Sequence, residues 1–140
     1  MKKLISLTLI LILVFTLAVP AFGAQKETAS PYLLNTQRAS VSISISDSGL
    51  LSTTVTVIGK SNVTSISTVT HVERKVGSNW VRVDINATND QWTYNTTSTR
   101  MVQHYSQQLI LTGEYRVVAK CTVVSPNGTE VLDLDNSATW

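Results

Sequence analysis

From residue 39 onward the chain keeps a two-residue period. Val41, Ile43 and Ile45 alternate with Ser42, Ser44 and Ser46, and Leu51, Thr53, Val55 and Val57 alternate with Ser52, Thr54 and Thr56. Successive side chains of a strand point to opposite faces, so each run puts aliphatic groups on one side and hydroxyls on the other. A helix, with its period of about 3.6, would scatter the same residues around its circumference. Asp47-Ser48-Gly49 lies between the runs and is a turn sequence. The pair therefore predicts a β-hairpin with one dry face.

The alternation continues along the chain. Residues 66–76 read as a third extended stretch, and Gly77-Ser78-Asn79 as the next turn. Val81, Val83 and Ile85 then share a face opposite Trp80, Arg82 and Asp84. Residues 86–100 are polar, with Trp92 and Tyr94 as their only large apolar groups, and read as a loop carrying a short strand. In residues 101–111, one side carries Met101, Gln103, Tyr105, Gln107, Leu109 and Leu111. Beyond the Thr112-Gly113-Glu114 turn, Tyr115, Val117, Ala119, Cys121 and Val123 share a face. Ser125-Pro126-Asn127-Gly128 is the clearest turn, because Asn-Gly readily takes positive φ. Residues 131–134 close the series. About seven strands with no helical period between them predict an all-β antiparallel sandwich, since a single sheet hides its dry face only against another.

Residues 1–38 follow a different rule. Lys2-Lys3 precedes the uncharged residues 4–19, and Pro20 to Ala24 supply a helix breaker and small residues. That order is a secretory signal peptide, a helix removed after Gly23. The apolar run is shorter than the roughly 20 residues a membrane-spanning helix needs. The expected organisation is a signal peptide at 1–23, a flexible leader at 24–38 and the sandwich at 39–140. No later apolar run would hold the processed chain to a membrane, so the expected location is extracellular. The compact basic start has a bacterial, Gram-positive look.

Charge and cysteine content narrow the functions. The 11 basic residues include Lys2 and Lys3, so nine remain against nine acidic residues once the signal is gone. A formally neutral chain has no basic stripe for phosphates, which argues against nucleic-acid binding. Cys121 is the only cysteine and has no internal disulfide partner. Its place between Ala119 and Val123 predicts a buried, inert thiol rather than a nucleophile.

Other side chains in the sequence are capable of chemistry. His71 and Glu73 are two apart on one strand face and could begin a metal or acid–base site with His104, but a surface structural role is the simpler reading. No Gly-x-Ser-x-Gly marks a poised serine. Asp84, Asn86 and Asp90, like Asp133, Asp135 and Asn136, crowd together without the spacing of a calcium loop, and read as turn-forming residues. Asn-x-Thr occurs at Asn62, Asn86, Asn95 and Asn127, which matters only in a eukaryotic secretory pathway. Trp80, Trp92, Tyr94, Tyr105 and Trp140 are the large rings a secreted sandwich could offer to a sugar or a protein.

Gly113-Glu114-Tyr115, opening its strand, resembles the start of strand F in immunoglobulin-like and fibronectin type III-like sandwiches. The resemblance implies that the Tyr115 hydroxyl ties the preceding loop down. The chain departs from immunoglobulin domains in lacking the strand C tryptophan and the paired cysteines, with Val117 where the second would stand. The signal, the Ser-rich hairpin, Gly77-x-x-Trp80 and Gly113-x-Tyr115 also resemble small secreted Gram-positive bacterial proteins of uncharacterised families. That likeness implies no activity. The expectation is a secreted, non-catalytic immunoglobulin-like sandwich without cofactor or metal. Its contact would be a cell-surface glycan or protein, met through Trp92, Tyr94 and Trp80. The alternative is an assembly subunit pairing through the edge strand at Val41 to Ile45.

Overall fold

A computed structural model describes residues 33–140, together with the backbone of Lys26–Glu27. The expected signal peptide lies outside the described residues, as does most of the expected leader. Among the described residues nine strands run β1 (Lys26–Glu27), β2 (Thr36–Ile45), β3 (Leu50–Gly59), β4 (Ser65–Val76), β5 (Asn79–Arg82), β6 (Trp92–Thr96), β7 (Arg100–Gln108), β8 (Glu114–Ser125) and β9 (Gly128–Thr139). The only helical element among the described residues is a 3-10 turn at Thr88–Asp90, so none there is long and apolar enough to cross a membrane.

All pairings are antiparallel and make two sheets. The first has the order β1-β2-β3-β7, and the second β5-β4-β8-β9. Strand β4 carries two neighbours on one edge. β6 pairs along Ile66 to Thr70, and β5 along Glu73 to Val76. Short strands laid end to end leave a gap between them, which the segment after Arg82 spans.

The core lies between the two dry faces that the alternation foretells. Val41, Leu51, Val55, Val57 and Met101 of the first sheet meet Ile66, Val72, Tyr115, Val117 and Val123 of the second, all essentially solvent-free. Each such side chain contributes about 1.5–3 kcal/mol of burial, against the conformational entropy of ordering the chain. The Tyr115 hydroxyl donates to the Leu111 carbonyl, the tie that the strand F resemblance implies.

Two boundaries differ from expectation. The body begins before residue 39. Asn35 is fully buried, and its Nδ2 donates to the carbonyls of Val123 (3.1 Å) and Gly128 (2.7 Å). Ser125 Oγ donates to Asn35 Oδ1 at 2.7 Å. The Glu130 carboxylate accepts from the amides of Leu34 (2.7 Å) and Asn35 (3.0 Å) and from Thr36 Oγ1 (2.7 Å). Lys60 Nζ donates to the carbonyls of Leu33 and Leu34. These contacts weld residues 33–36, the last part of the expected leader, across one end of the sandwich.

At the other boundary, β9 continues to Thr139 instead of ending at residue 134. Asp133 and Asp135 therefore stand on a strand, opposite Lys120 and Val118, and Asn136 Nδ2 donates to the Val41 carbonyl at 3.2 Å. The turn reading fails for this group because β8 supplies a full ladder of partners. It holds for the other group: Asp90 Oδ1 accepts from the Ile85 amide, and Asn89 and Asp90 both take positive φ. In the 125–128 turn, positive φ belongs to Gly128 alone, at 124°, and not to Asn127. At the opposite end, Gly49 (φ 79°) passes beneath Trp140, whose ring would lie 2.5 Å from an added Cβ.

Candidate functional site

Of the three rings expected to make the contact, Trp92 and Tyr94 share a face of β6 and Trp80 stands apart from them on the outer face of the sheet. Trp92 and Tyr105 stack with centroids 4.7 Å apart and planes within 1°. The stack joins β6 of one sheet to β7 of the other and seals that side of the sandwich. Tyr94 shares the inward register of β6 with Trp92, opposite Thr68, but at the rim, where it is 39% exposed. Trp80 stands opposite Lys75, on the outer face of the second sheet. Arg116 Cζ lies 4.5 Å and Lys75 Nζ 5.7 Å from its ring centroid. Both cations are held in turn, Arg116 by Glu73 (2.5 Å) and Lys75 by Glu114 (2.7 Å).

The side chains capable of catalysis, His71, Glu73, His104 and Cys121, are separated or occupied. His71 Nε2 contacts Glu73 Oε1 at 3.1 Å, as their spacing implies. Burial pushes the Glu73 carboxyl up, but hydrogen bonds and charge from Arg116 and His71 outweigh it and leave the pKa below its ordinary value. His104 contacts Thr54 Oγ1 on the outer face of the first sheet, with the whole core between it and His71. Cys121 is fully buried. Burial, reinforced by the nearby Asp133 charge, pushes its thiol up to about 12, far from a usable thiolate.

Beside the aromatic seal, the same side of the sandwich is open. Strand β5 ends at Arg82 and β7 at Gln108. The apolar residues that follow the inward register therefore lack an opposite wall. A groove of about 280 Å³ results, between β5 and the β7–β8 connection. Val81, Val83, Leu109, Leu111 and Tyr115 give it apolar walls, and Arg74 adds a charge. Val81 and Leu111 are 49% and 55% exposed, and Ile110 at the rim is 90% exposed. The connection is nevertheless fixed. The Leu109 amide donates to the Gly49 carbonyl at 2.9 Å, Gly113 and Trp140 exchange backbone hydrogen bonds, and Tyr115 holds Leu111.

Arg74 is the unusual member. It stands opposite both Val81 and Tyr115, in the register whose other members, Ile66, Thr68, Thr70 and Val72, are buried. Its Nε is buried without a hydrogen-bond partner, and it forms no ion pair among the described residues. An added Cβ on Gly113 would sit 3.4 Å from that Nε, so the stem packs under the connection. Burial raises the pKa of the Tyr115 hydroxyl, and the Arg74 charge pulls it partly back. Arg82 and Asp84 line the groove as well. Arg82 is engaged on Gln91 Oε1 at 3.4 Å.

Three further hydroxyls lack partners: Thr68, Thr70 and Tyr105, behind the aromatic seal. The Tyr105 pKa is raised chiefly by burial, with Thr68 close enough to oppose it. They do not line the groove.

The residues of the groove come from four separate stretches of chain, and the sequence reading did not assemble them. The usable signal was Arg74 itself, a charge at a dry-face position of an alternating strand. Comparison with protein-family models, curated proteins and solved structures finds no match to this chain.

Proposed function

We propose that this chain is an exported, non-catalytic, immunoglobulin-like binding module that seats an apolar ligand group in the groove between β5 and the β7–β8 connection. One observation carries the reading: a fixed, preformed cleft gathers exposed aliphatic side chains, Val81, Leu111 and Ile110 among them, around a charged group. Export rests on the basic, apolar and small-residue order of residues 1–24. The immunoglobulin-like assignment is supported by β2-β3-β7 facing β4-β8-β9 and by the Tyr115 tie. Binding is favoured over catalysis because His71, His104 and Cys121 are each engaged or buried apart from one another.

The groove displaces the Trp92, Tyr94 and Trp80 patch as the contact of choice. Trp92 is spent on Tyr105, and a cation lies over Trp80, so a sugar would have to displace it to stack there. Assembly through the β2 edge has a competitor within the chain, since β1 already pairs with Ser40 and Val41. The test is a fragment titration of the secreted form followed by amide NMR shifts. Apolar fragments should move the amides of Val81, Val83, Leu109 and Leu111 together. Shifts centred on Trp80, or scattered over the surface, would overturn the assignment.

A further inference from the structure

We infer that the groove selects small ligands bearing a carboxylate on a short aliphatic body, with the Arg74 guanidinium as the partner of the anion. The inference rests on the reading of the groove as a ligand site and adds the chemistry of what enters it.

The guanidinium is the starting point. Arg74 is half-buried overall with its Nε shielded from water, and a shielded charged group left unpaired costs free energy. On the outer face of the same sheet, the half-buried Arg116 has Glu73 as its carboxylate partner. Arg74 forms no such pair among the described residues, yet its Nε is buried. A guanidinium presents a planar fork of N–H donors and no acceptor, which matches a carboxylate better than any neutral group.

The surroundings set the rest of the ligand. The apolar walls Val81, Val83, Leu109 and Leu111 fit a hydrocarbon, while Arg82, Asp84, Gln107 and Gln108 supply the polar part of the lining. Ile110 and Val76 extend the apolar surface at the rim. A volume of about 280 Å³ lies at the small end of ligand pockets, so the body that fits is short. The ionic side chains lining the groove are Arg74, Arg82 and Asp84, one net positive charge. Asp84 weakens the attraction for an anion and also attracts amines, so discrimination against a cation is moderate. Because Leu109, Leu111 and Gly113 are already tied down, binding orders little additional chain.

Three probes of equal length separate the parts of the claim: octanoate, octan-1-ol and octylamine, each titrated below its micellar or solubility limit and followed by amide NMR. Octanoate should move the Val81, Val83, Leu109 and Leu111 amides with about tenfold tighter affinity than octan-1-ol, the effect of one charge-assisted hydrogen bond, and octylamine should bind no better than the alcohol. Arg74→Gln should bring octanoate down to the level of octan-1-ol and leave the alcohol unchanged. Arg74→Lys, with the charge but not the fork, should fall between. A melting curve confirms that each variant is folded. Equal affinity for octanoate and octan-1-ol, or an unaltered octanoate affinity in Arg74→Gln, would overturn carboxylate selection while leaving the groove a ligand site. If no probe shifts these amides, the groove reading fails, and carboxylate selection with it.

Discussion

The two ends of the sandwich solve the same problem in opposite ways. At the end where β2 begins and β8 turns into β9, each polar atom in the packed layer has a partner. Asn35 is fully buried, Ser125 and two carbonyls engage its side-chain amide, and Glu130 takes two backbone amides and a hydroxyl. At the far end, beside β5, a guanidinium nitrogen is buried without a partner and aliphatic side chains face solvent. Both ends close the same pair of sheets, so the fold does not dictate the difference. Satisfied polar networks hold a body together. An unsatisfied group beside open apolar surface costs stability, and such costs gather where a ligand relieves them.

The largest test of this contrast is Asn35→Ala. It removes the side-chain amide that Ser125 Oγ and the Val123 and Gly128 carbonyls bond in a dry layer, and should lower stability by about 3 kcal/mol in chemical denaturation. A loss under 1 kcal/mol would mean that the closed end is no clasp.

Glu130→Gln comes next, at about 1–2 kcal/mol, because the glutamine keeps one acceptor oxygen and loses the charge. This effect depends on pH in a set direction. Burial raises the Glu130 carboxyl, but hydrogen bonds from the Thr36 hydroxyl and from the backbone of Asn35, Leu34 and Thr36 outweigh it, leaving the folded pKa below the ordinary 4.5. The folded state therefore binds the proton less readily than the unfolded chain. The stabilisation is complete above the ordinary pKa and drains away as pH falls from 4.5 through the folded value. Wild type and Glu130→Gln should converge in stability over that acid range. Glu73, lowered in the same sense, leaves both proteins a remaining acid sensitivity. A gap that stays constant down to strong acid would remove the carboxylate from the explanation.

At the open end the effects should be small. Ile110→Ser replaces a side chain already 90% exposed and should move stability by less than about 0.5 kcal/mol. Arg74→Gln should be smaller still, neutral or slightly stabilising, since it removes a charge that has no partner. A loss of 2 kcal/mol or more at Arg74 would show that its guanidinium supports the fold, and the two ends would no longer differ in kind.

How much of this was legible in the sequence varies with the physics of each part. Alternation identified the strands of the hairpin, β4 and β8, because parity alone decides which side chain meets the core. It placed Cys121 and Tyr115 correctly for the same reason. Strand β9 was read short, since Asp133, Asp135 and Asn136 have poor strand propensity, and only the ladder to β8 fixes them there. Residues 33–36 gave no sign of burial, because their partners Ser125 and Glu130 are some 90 residues away. The rings could not be sorted, since exposure depends on where an opposing strand ends. The groove was invisible for that reason too: it is made by the ends of β5 and β7, which no local motif records.

A crystal structure of the protein grown with octanoate bears on all of this most directly. If the open end is built to take such a ligand, the carboxylate oxygens will lie about 2.7–2.9 Å from the Arg74 guanidinium, with the hydrocarbon against Val81 and Leu111. Octanoate lodged beside Trp80, or a β7–β8 connection collapsed onto Val81 with Arg74 turned out to solvent, would contradict it.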